Sequence, residues 1–351
     1  MSDLKHKAIG LLSGGLDSSL AAILIAELGV EVLALHFYSG LNSPDIPERN
    51  KNDAVVTDED AVNAMSLFKD KGITVRNVDM SMGYLDVIHS PEHGYGKNVN
   101  PCVDCHIHML RIAKKVMEDE GADFVFTGEV VGQRPMSQGM HQLTLISAET
   151  GLKDKLVRPL SGQLMAMTYP EKVGILDRSK LLRLSGRNRK PQIALAASYG
   201  LTKYPAPAGG CILTDPAFSL KVKDVWDASG KDGMDFEDYR LLRVGRHLRI
   251  NPDLKIIAGR DEAENDYLDK HVGNLIRVEV VDIPGPVLLV DCQPDKLNDS
   301  VLELAARIAG RYCKSRFSEV ELDVQIEMKD QTKIIQAKPF TAEEVAQWVI
   351  H

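Results

Sequence analysis

The sequence predicts an α/β protein: a doubly wound parallel sheet followed by a second, smaller α/β domain. Three observations carry that prediction. Short apolar runs alternate with helical periods through the first half of the chain, one apolar run passes into a helix over paired glycines near the start, and a fresh series of strands and helices begins near Arg243. Alternating strands and helices imply a parallel sheet, and in such sheets ligands collect at the carboxyl ends of the strands.

Ala8 to Leu12 reads as a buried strand, and Ser13-Gly14-Gly15-Leu16-Asp17-Ser18 turns it into an apolar helix from about Ser18 to Leu28, stopped by Gly29. Val32 to His36 is the second strand, Thr57 to Phe68 the second helix and Ile73 to Val78 the third strand. Ser81 to Asn100 shows no period and reads as an active-site loop. Asp104 to Glu118 follows as a helix with Met109, Leu110, Ile112, Ala113, Val116 and Met117 on one face, then the strand Phe124 to Thr127. Leu143 to Ile146 and Lys155 to Arg158 look like short strands, and Arg178 to Leu184 and Gln192 to Tyr199 like helices. Prolines and glycines from Tyr204 to Cys211 mark a loop. A helical connector runs to about Leu242, and the second region has strands at Val244 to Ile250, Lys255 to Ala258, Ile276 to Val281 and Val287 to Val290, with helices near Glu262 to Lys270 and Leu297 to Tyr312. The expected domains are therefore 1–203, a connector at 204–242, and 243–351.

At 351 residues and 44% hydrophobic content the chain suits two cored domains and excludes a disordered or fibrous protein. Its first residues are too short and too mixed in charge for a signal peptide, and no run of about 18 apolar residues follows, so a soluble, cytoplasmic protein without a membrane partner is expected. A net charge of -8 argues against indiscriminate coating of nucleic acid, leaving local patches to do any binding. Two stand out: Arg178, Lys180, Arg183, Arg187, Arg189 and Lys190, and a ladder of Arg240, Arg243, Arg246 and Arg249. Each has the plainer reading of a solvated helix face. Five cysteines, an odd number, speak against a disulfide framework; Cys292 and Cys313 read as core, whereas Cys102, Cys105 and Cys211 do not.

Paired glycines let main-chain amides approach a phosphate while the following helix aims its positive end at the same point. A Walker loop would need a Gly-Lys-Ser/Thr ending, which this loop lacks. Ser-Gly-Gly-Leu-Asp-Ser instead resembles the signature of the PP-loop ATP pyrophosphatases. The resemblance implies ATP binding and adenylation, with Asp17 binding Mg2+, with Ser13, Gly14, Gly15, Ser18 and Ser19 supplying hydrogen bonds, and with His36 and Gly128 at the neighbouring strand ends completing the ATP site.

Asn100-Pro101-Cys102-Val103-Asp104-Cys105 places two thiols at a helix entry, where the helix terminus favours the thiolate, and Cys211 adds a third on an irregular loop. Three chemistries fit: a 4Fe-4S cluster with one open iron, a persulfide relay from Cys105 to Cys211, or a zinc site completed by His106 or His108. The segment is similar to the catalytic Asn-Pro-x-x-x-Cys of bacterial tRNA 2-thiouridylases, and Gly209-Gly210-Cys211-Ile212 to their second cysteine loop. Thr127 to Gln133, Ser137-Gln138 and Arg158-Pro159-Leu160 resemble tRNA 4-thiouridine synthetases. Farther on, Gly259-Arg260 with Asn265-Asp266 and Leu268 looks like a motif of the RNA-binding domain of NFACT proteins, the plainer alternative being a capped strand-turn-helix.

The resemblances imply a tRNA sulfurtransferase that adenylates a uridine carbonyl and replaces its oxygen by sulfur supplied as sulfide or by a cysteine desulfurase. Cys102, Cys105 and Cys211 would be catalytic, metal-binding or both, and Glu129, Gln133, Arg134 and Arg260 would contact substrate. The rival expectation is a PP-loop sulfur or nitrogen transferase acting on a small molecule. A homodimer is compatible with either.

Overall fold

The computed structural model describes residues 6–42, 45–47, 67–201, 204, 211–313, 320–329 and 331–351. They fall into two compact units, one drawn from Met1–Gly40 and Arg49–Cys211, the other from Leu41–Glu48 and Ile212–His351. Residues 212–242, expected as a connector, thus pack with the C-terminal unit.

The first unit is built on five parallel strands, β1 (Lys7–Leu12), β2 (Glu31–Tyr38), β3 (Ile73–Asp79), β4 (Phe124–Thr127) and β5 (Leu156–Val157), in the order β3-β2-β1-β4-β5. The order reverses direction of winding at β1, so the crevice beyond the ends of β1 and β4 is where a ligand is expected. α1 (Leu16–Glu27) is apolar on nearly every side and buried, as its run from Leu20 to Ile25 requires. A short α2 (Tyr84–His89) interrupts the expected loop, and α3 (Cys102–Asp119) buries Ile107, Leu110, Ala113 and Met117 against β1 and β4. Most of the expected helix Thr57 to Phe68 lies outside the described residues; residues 67–70 are helical.

Two elements differ from expectation. Leu143 to Ile146 is not a strand but lies within α4 (Met140–Glu149), whose buried Leu143, Ile146 and Ser147 follow the helical spacing. The run Leu-Thr-Leu-Ile fits either period over four residues, and packing of α4 on α3 decides for the helix. Arg178 to Leu184 is a single 3-10 turn, Arg178–Lys180, between the short α5 (Tyr169–Lys172) and α6 (Lys190–Ser198). The Arg178 guanidinium is drawn onto Glu171 and the Met165 carbonyl, which holds the turn against α5.

The second unit begins with α7 (Pro216–Ser229) and α8 (Phe236–Leu241), both capped at their N-termini by Asp215 and Asp235. Its sheet is antiparallel and six-stranded, with β6 (Arg246–Asn251), β7 (Leu254–Ala258), β8 (Ile276–Val280), β9 (Leu288–Cys292), β10 (Leu322–Met328) and β11 (Gln331–Ala337) in the order β11-β10-β8-β9-β7-β6. The amphipathic α10 (Asp299–Arg311) covers one face through Leu302, Ala305, Ala306 and Ala309. On the other, α9 (Glu262–Lys270) contributes Tyr267 and Leu268 to a cluster that includes Ile46. A short α11 (Ala342–Ala346) follows the last strand. Among the described residues no helix is long and apolar enough to cross a membrane.

Candidate active site

Between β1 and α1 the chain has to turn within three residues. Gly14 does so at φ 74, a conformation that side chains oppose, and Gly15 caps α1 without any side-chain bond. The first amides of α1 therefore have no partner inside the helix and point into the turn together with its positive end. Ser18 and Ser19 donate their hydroxyls to the Gly15 carbonyl at 3.0 and 3.1 Å, and the Ser13 amide donates to Ser18 Oγ at 3.2 Å. These two serines shape the loop from within, which leaves phosphate contacts to the main-chain amides and to the exposed Ser13. His36 is paired in register with Leu12, and its Nδ1 lies 3.1 Å from the Leu12 carbonyl, so it braces the strand end from β2.

Gly128 follows β4 where the backbone meets this loop: a Cβ there would lie 2.5 Å from the Ser18 amide nitrogen and Cα. Only glycine admits that approach. It brings residues 128–134 alongside α1, where Gln133 donates through Nε2 to Asp17 Oδ2 at 2.7 Å.

Glu129 points the other way. Its buried carboxylate accepts from Thr127 Oγ1 at 2.8 Å, from Arg158 Nε at 2.9 Å and from His106 Nδ1 at 3.1 Å. Burial alone would raise its pKa, but the Arg158 guanidinium and the His106 ring hold it well below the usual carboxylate range. Arg158 is fixed in turn by Ser147 Oγ and the Leu143 carbonyl of α4. The expectation that Glu129 orients a substrate base is therefore corrected: it anchors the interior of the site, and Arg134, which is exposed, faces outward instead.

The thiols flank this network. Cys102 and His106 are one helical turn apart on α3, which puts both on one face. Burial pushes the Cys102 thiol up, yet the His106 ring, the Ser137 hydroxyl and the charge of Arg134 bring it below its ordinary value. His106, despite a burial effect in the opposite direction, is raised to about 10 by Cys102 and Glu129. Cys105 keeps some surface, but the depth of its surroundings pushes its thiol up to about 12, against a hydrogen bond from Tyr84 Oη at 3.4 Å. Cys211 is exposed, and its charge reaches both Cys105 and Tyr84. So the three cysteines singled out in sequence lie within electrostatic reach of one another, and the surroundings favour the thiolate at Cys102 and oppose it at Cys105. Gly209 and Gly210 lie outside the described residues.

His108 directs its Nε2 to the Met80 carbonyl at 3.0 Å. Among the described residues the three thiols do not draw within 4.8 Å of one another, and the group that does is Glu92, His93 and Glu149. Sequence reasoning missed His106 as the partner of Cys102, although the one-turn spacing was there to read, and placed the short strand that leads into Arg158 without giving that arginine its role against Glu129.

In the second unit, Arg260 pairs with Glu264 at 3.1 Å, and Asn265 holds the Gly285–Val287 segment through the Gly285 carbonyl and the Val287 amide. The arginine ladder divides: Arg249 forks onto Asp224, Arg243 reaches Leu41 and Asn42, Arg240 meets Glu237, and Arg246 lies 5.0 Å from the Tyr312 ring centre. Arg246, Arg260, Asn265 and Tyr312 line one cavity of about 470 Å³.

The glycine turn, the Gly128 contact and the α3 thiols form the combination that a family comparison can decide. Residues 4–166 match the model of the thiamine biosynthesis protein ThiI. Residues 245–349 match that of the NFACT protein RNA binding domain. The first unit is thus similar to ThiI over residues 4–166, and the second is similar to the NFACT RNA binding domain over residues 245–349. A probable tRNA sulfurtransferase of Lysinibacillus sphaericus is 30% identical over 49% of this chain and 39% of that protein. The tRNA-specific 2-thiouridylase MnmA of Marinobacter nauticus is 26% identical over 50% of this chain and 44% of its own length. The chain therefore spans less than half the length of these relatives. A 4-thiouridine synthetase crystallised with RNA and ATP aligns with 56% of this chain and 52% of its own at 20% identity, with a TM-score of 0.35.

Proposed function

We propose that the protein is an ATP-dependent tRNA sulfurtransferase. One observation carries the reading: residues 127–133 touch both halves of the site, Gln133 on Asp17 of the PP-loop and Glu129 on His106, which stands against Cys102. Nucleotide activation and thiol chemistry are thereby adjacent. ATP would lie with its β and γ phosphates on the loop amides and Mg2+ on Asp17. The uridine carbonyl oxygen bonds to the α phosphorus as the bond to the β phosphate breaks and pyrophosphate leaves. Sulfide then forms the carbon–sulfur bond and AMP departs with the original oxygen. Where a cysteine desulfurase is the source, the sulfur attacks as a cysteine persulfide, and a second cysteine thiolate then attacks the inner sulfur, breaking the S–S bond to release the thiolated base and leaving a disulfide. Arg134 at the rim is placed to offset charge on the phosphate.

Cys102, Cys105 and Cys211 lie close enough to sense one another's charge yet do not all come within 4.8 Å of one another, a spacing that suits the ligands of a 4Fe-4S cluster better than a closed tetrahedral zinc, whose sulfurs must approach within about 4 Å of one another. Such a cluster, when bound by Cys102, Cys105 and Cys211, would present an open iron able to carry sulfide. Around it the chain's own groups hold position: His106 fixes Cys102, Tyr84 fixes Cys105, and Glu129 with Arg158 fixes His106. Protein purified without oxygen is expected to hold about four irons and four sulfides per chain. Cys102→Ala, Cys105→Ala and Cys211→Ala should each lose them while Cys292→Ala does not. Stoichiometric zinc without iron would overturn the cluster, and thiolation with neither metal would assign the sulfur to a persulfide.

tRNA would be gripped at two places. In the ThiI-type unit Lys180, Arg183, Arg187 and Lys190 are exposed. In the NFACT-type unit the cavity offers Arg246 and Arg260 to phosphate and Tyr312 to a base. Arg246→Ala in the full chain is expected to flatten the slope of log affinity for tRNA against log salt by up to about one unit. Arg260→Ala should cost about 1 to 3 kcal/mol of tRNA affinity. An unchanged slope and affinity in both would move the grip to the exposed basic patch. The function as a whole is tested by nucleoside mass spectrometry of tRNA incubated with the protein, ATP and a sulfur source: a thiolated uridine is expected. ATP cleavage that proceeds equally well without tRNA would favour a small-molecule acceptor.

A further inference from the structure

We propose that Arg189 and Gln192, at the start of α6, complete the phosphate site and take the inorganic pyrophosphate that leaves ATP, together with its divalent cation. The inference rests on the adenylation reading and identifies the groups that receive its leaving ion. A PP-loop without lysine has amides for the phosphates but no side-chain cation of its own, and in this chain that charge comes from elsewhere. α6 packs against α1, Arg189 is its N-cap residue, and the Arg189 guanidinium stands 4.0 Å from Asp17 Oδ2. Gln192, one turn in and 1% exposed, donates through Nε2 to Gln133 Oε1 at 3.2 Å, and Gln133 donates to Asp17.

Among the described residues, three buried polar atoms on these side chains have no hydrogen-bond partner: Asp17 Oδ1, Arg189 Nε and Gln192 Oε1. A buried polar atom left without a partner is costly, so three of them on side chains linked through Asp17 and Gln133 mark a place built for a polar ligand. Their chemistry says which one. Two are oxygens that need a cation or a donor, and one is a guanidinium N–H that needs an anionic acceptor. A pyrophosphate with bound Mg2+ supplies both at once: phosphate oxygens for Arg189, and the metal or its waters for Asp17 and Gln192. A bare anion would be repelled by Asp17, and a bare cation would leave Arg189 unanswered. The α6 N-terminus adds its amides to the same anion.

The segment is held in place independently of any ligand. The Gly186 amide donates to the Val131 carbonyl at 2.8 Å, and Ser161 Oγ, which accepts from the Val131 amide at 3.0 Å, donates to the Leu184 carbonyl at 2.7 Å. Arg189 is therefore presented by a laced turn rather than by a free strand of chain.

The test uses the full-length chain and calorimetric titration with inorganic pyrophosphate in Mg2+, with Mg-ATP and with AMP. Arg189→Ala should weaken pyrophosphate and ATP at least tenfold and leave AMP unchanged, because AMP lacks the phosphates this group reaches. Arg189→Lys should recover only part, since an ammonium has no fork to match. Gln192→Ala should weaken pyrophosphate and raise the Mg2+ concentration needed to bind it. Wild-type pyrophosphate affinity in both alanine variants would overturn the clamp while leaving adenylation standing. A wild-type chain that binds neither ATP nor pyrophosphate would instead overturn adenylation itself. If Arg189→Ala no longer binds AMP, Gln192→Ala carries the same test with the same two readings.

Discussion

Asp17→Ala is expected to lower tRNA-dependent release of pyrophosphate by about 10² to 10³-fold or more, the range seen when one preorganised group is removed from developing charge. Asp17 sits in the first turn of α1 with one carboxylate oxygen on Gln133 and the other buried and unpartnered, so it is the loop's one acidic group poised for a cation. The fold should survive, because the residue contributes to no apolar cluster and its loss frees one hydrogen bond from Gln133, a change of about 1 kcal/mol. Labelled ATP distinguishes the chemistry: the wild-type protein should yield AMP and pyrophosphate, and the variant neither. ADP and phosphate from the wild-type protein would mean that the loop transfers a terminal phosphoryl group and that the adenylation reading is wrong.

The ThiI-type unit was legible because its sequence signals are redundant. β1, β2 and β4 are largely apolar runs, as buried parallel strands must be, and Gly14, Gly15 and Gly29 punctuate the one helix that leaves no ambiguity. The second unit was read as α/β without its antiparallel register, since strand direction lies in the connections and not in the strands. β10 was legible and the expected strands leave it out: Leu322, Val324 and Ile326 alternate with Asp323, Gln325 and Glu327, and their burial alternates with them. β11 was not, because all but its last residues are exposed and its Lys333 and Gln336 read as loop. At the site, residue types told which groups matter but not which way they face. Glu129 and Gln133 sit four apart and were expected to do the same work, yet one closes a buried ion pair and the other meets the PP-loop. That difference depends on Arg158, which arrives from a distant strand. In the same way the Gly259 to Leu268 motif gave the turn and helix correctly, while the engagement of Arg260 by Glu264 and of Asn265 by Gly285 and Val287 needed the fold.

Glu129→Ala is expected to destabilise the ThiI-type unit by about 3 to 5 kcal/mol, because it leaves the Arg158 guanidinium buried at 1% side-chain exposure with no counter-charge. The loss would spread to α4, which Arg158 ties to β5 through Ser147 and Leu143. Both tryptophans, Trp226 and Trp348, belong to the other unit, so their fluorescence would report the wrong transition. Calorimetry, with hydrogen exchange followed in peptides from α4 and β5, reads the right one. Glu129→Leu combined with Arg158→Met removes both charges and should recover most of the stability, as replacing a buried pair by apolar groups commonly does. Thiolation should not recover with it. Without its carboxylate, His106 loses the Nδ1 contact that steadies its ring beside Cys102, and the double variant would be a folded protein with a poorly supported thiol. Alkylation of Cys102 separates the two roles: the double variant should react more slowly than wild type at neutral pH, whereas a purely structural Glu129 would leave the rate of the refolded variant unchanged. Full thiolation activity in the stable double variant would show that the Glu129 to His106 contact does not serve the chemistry.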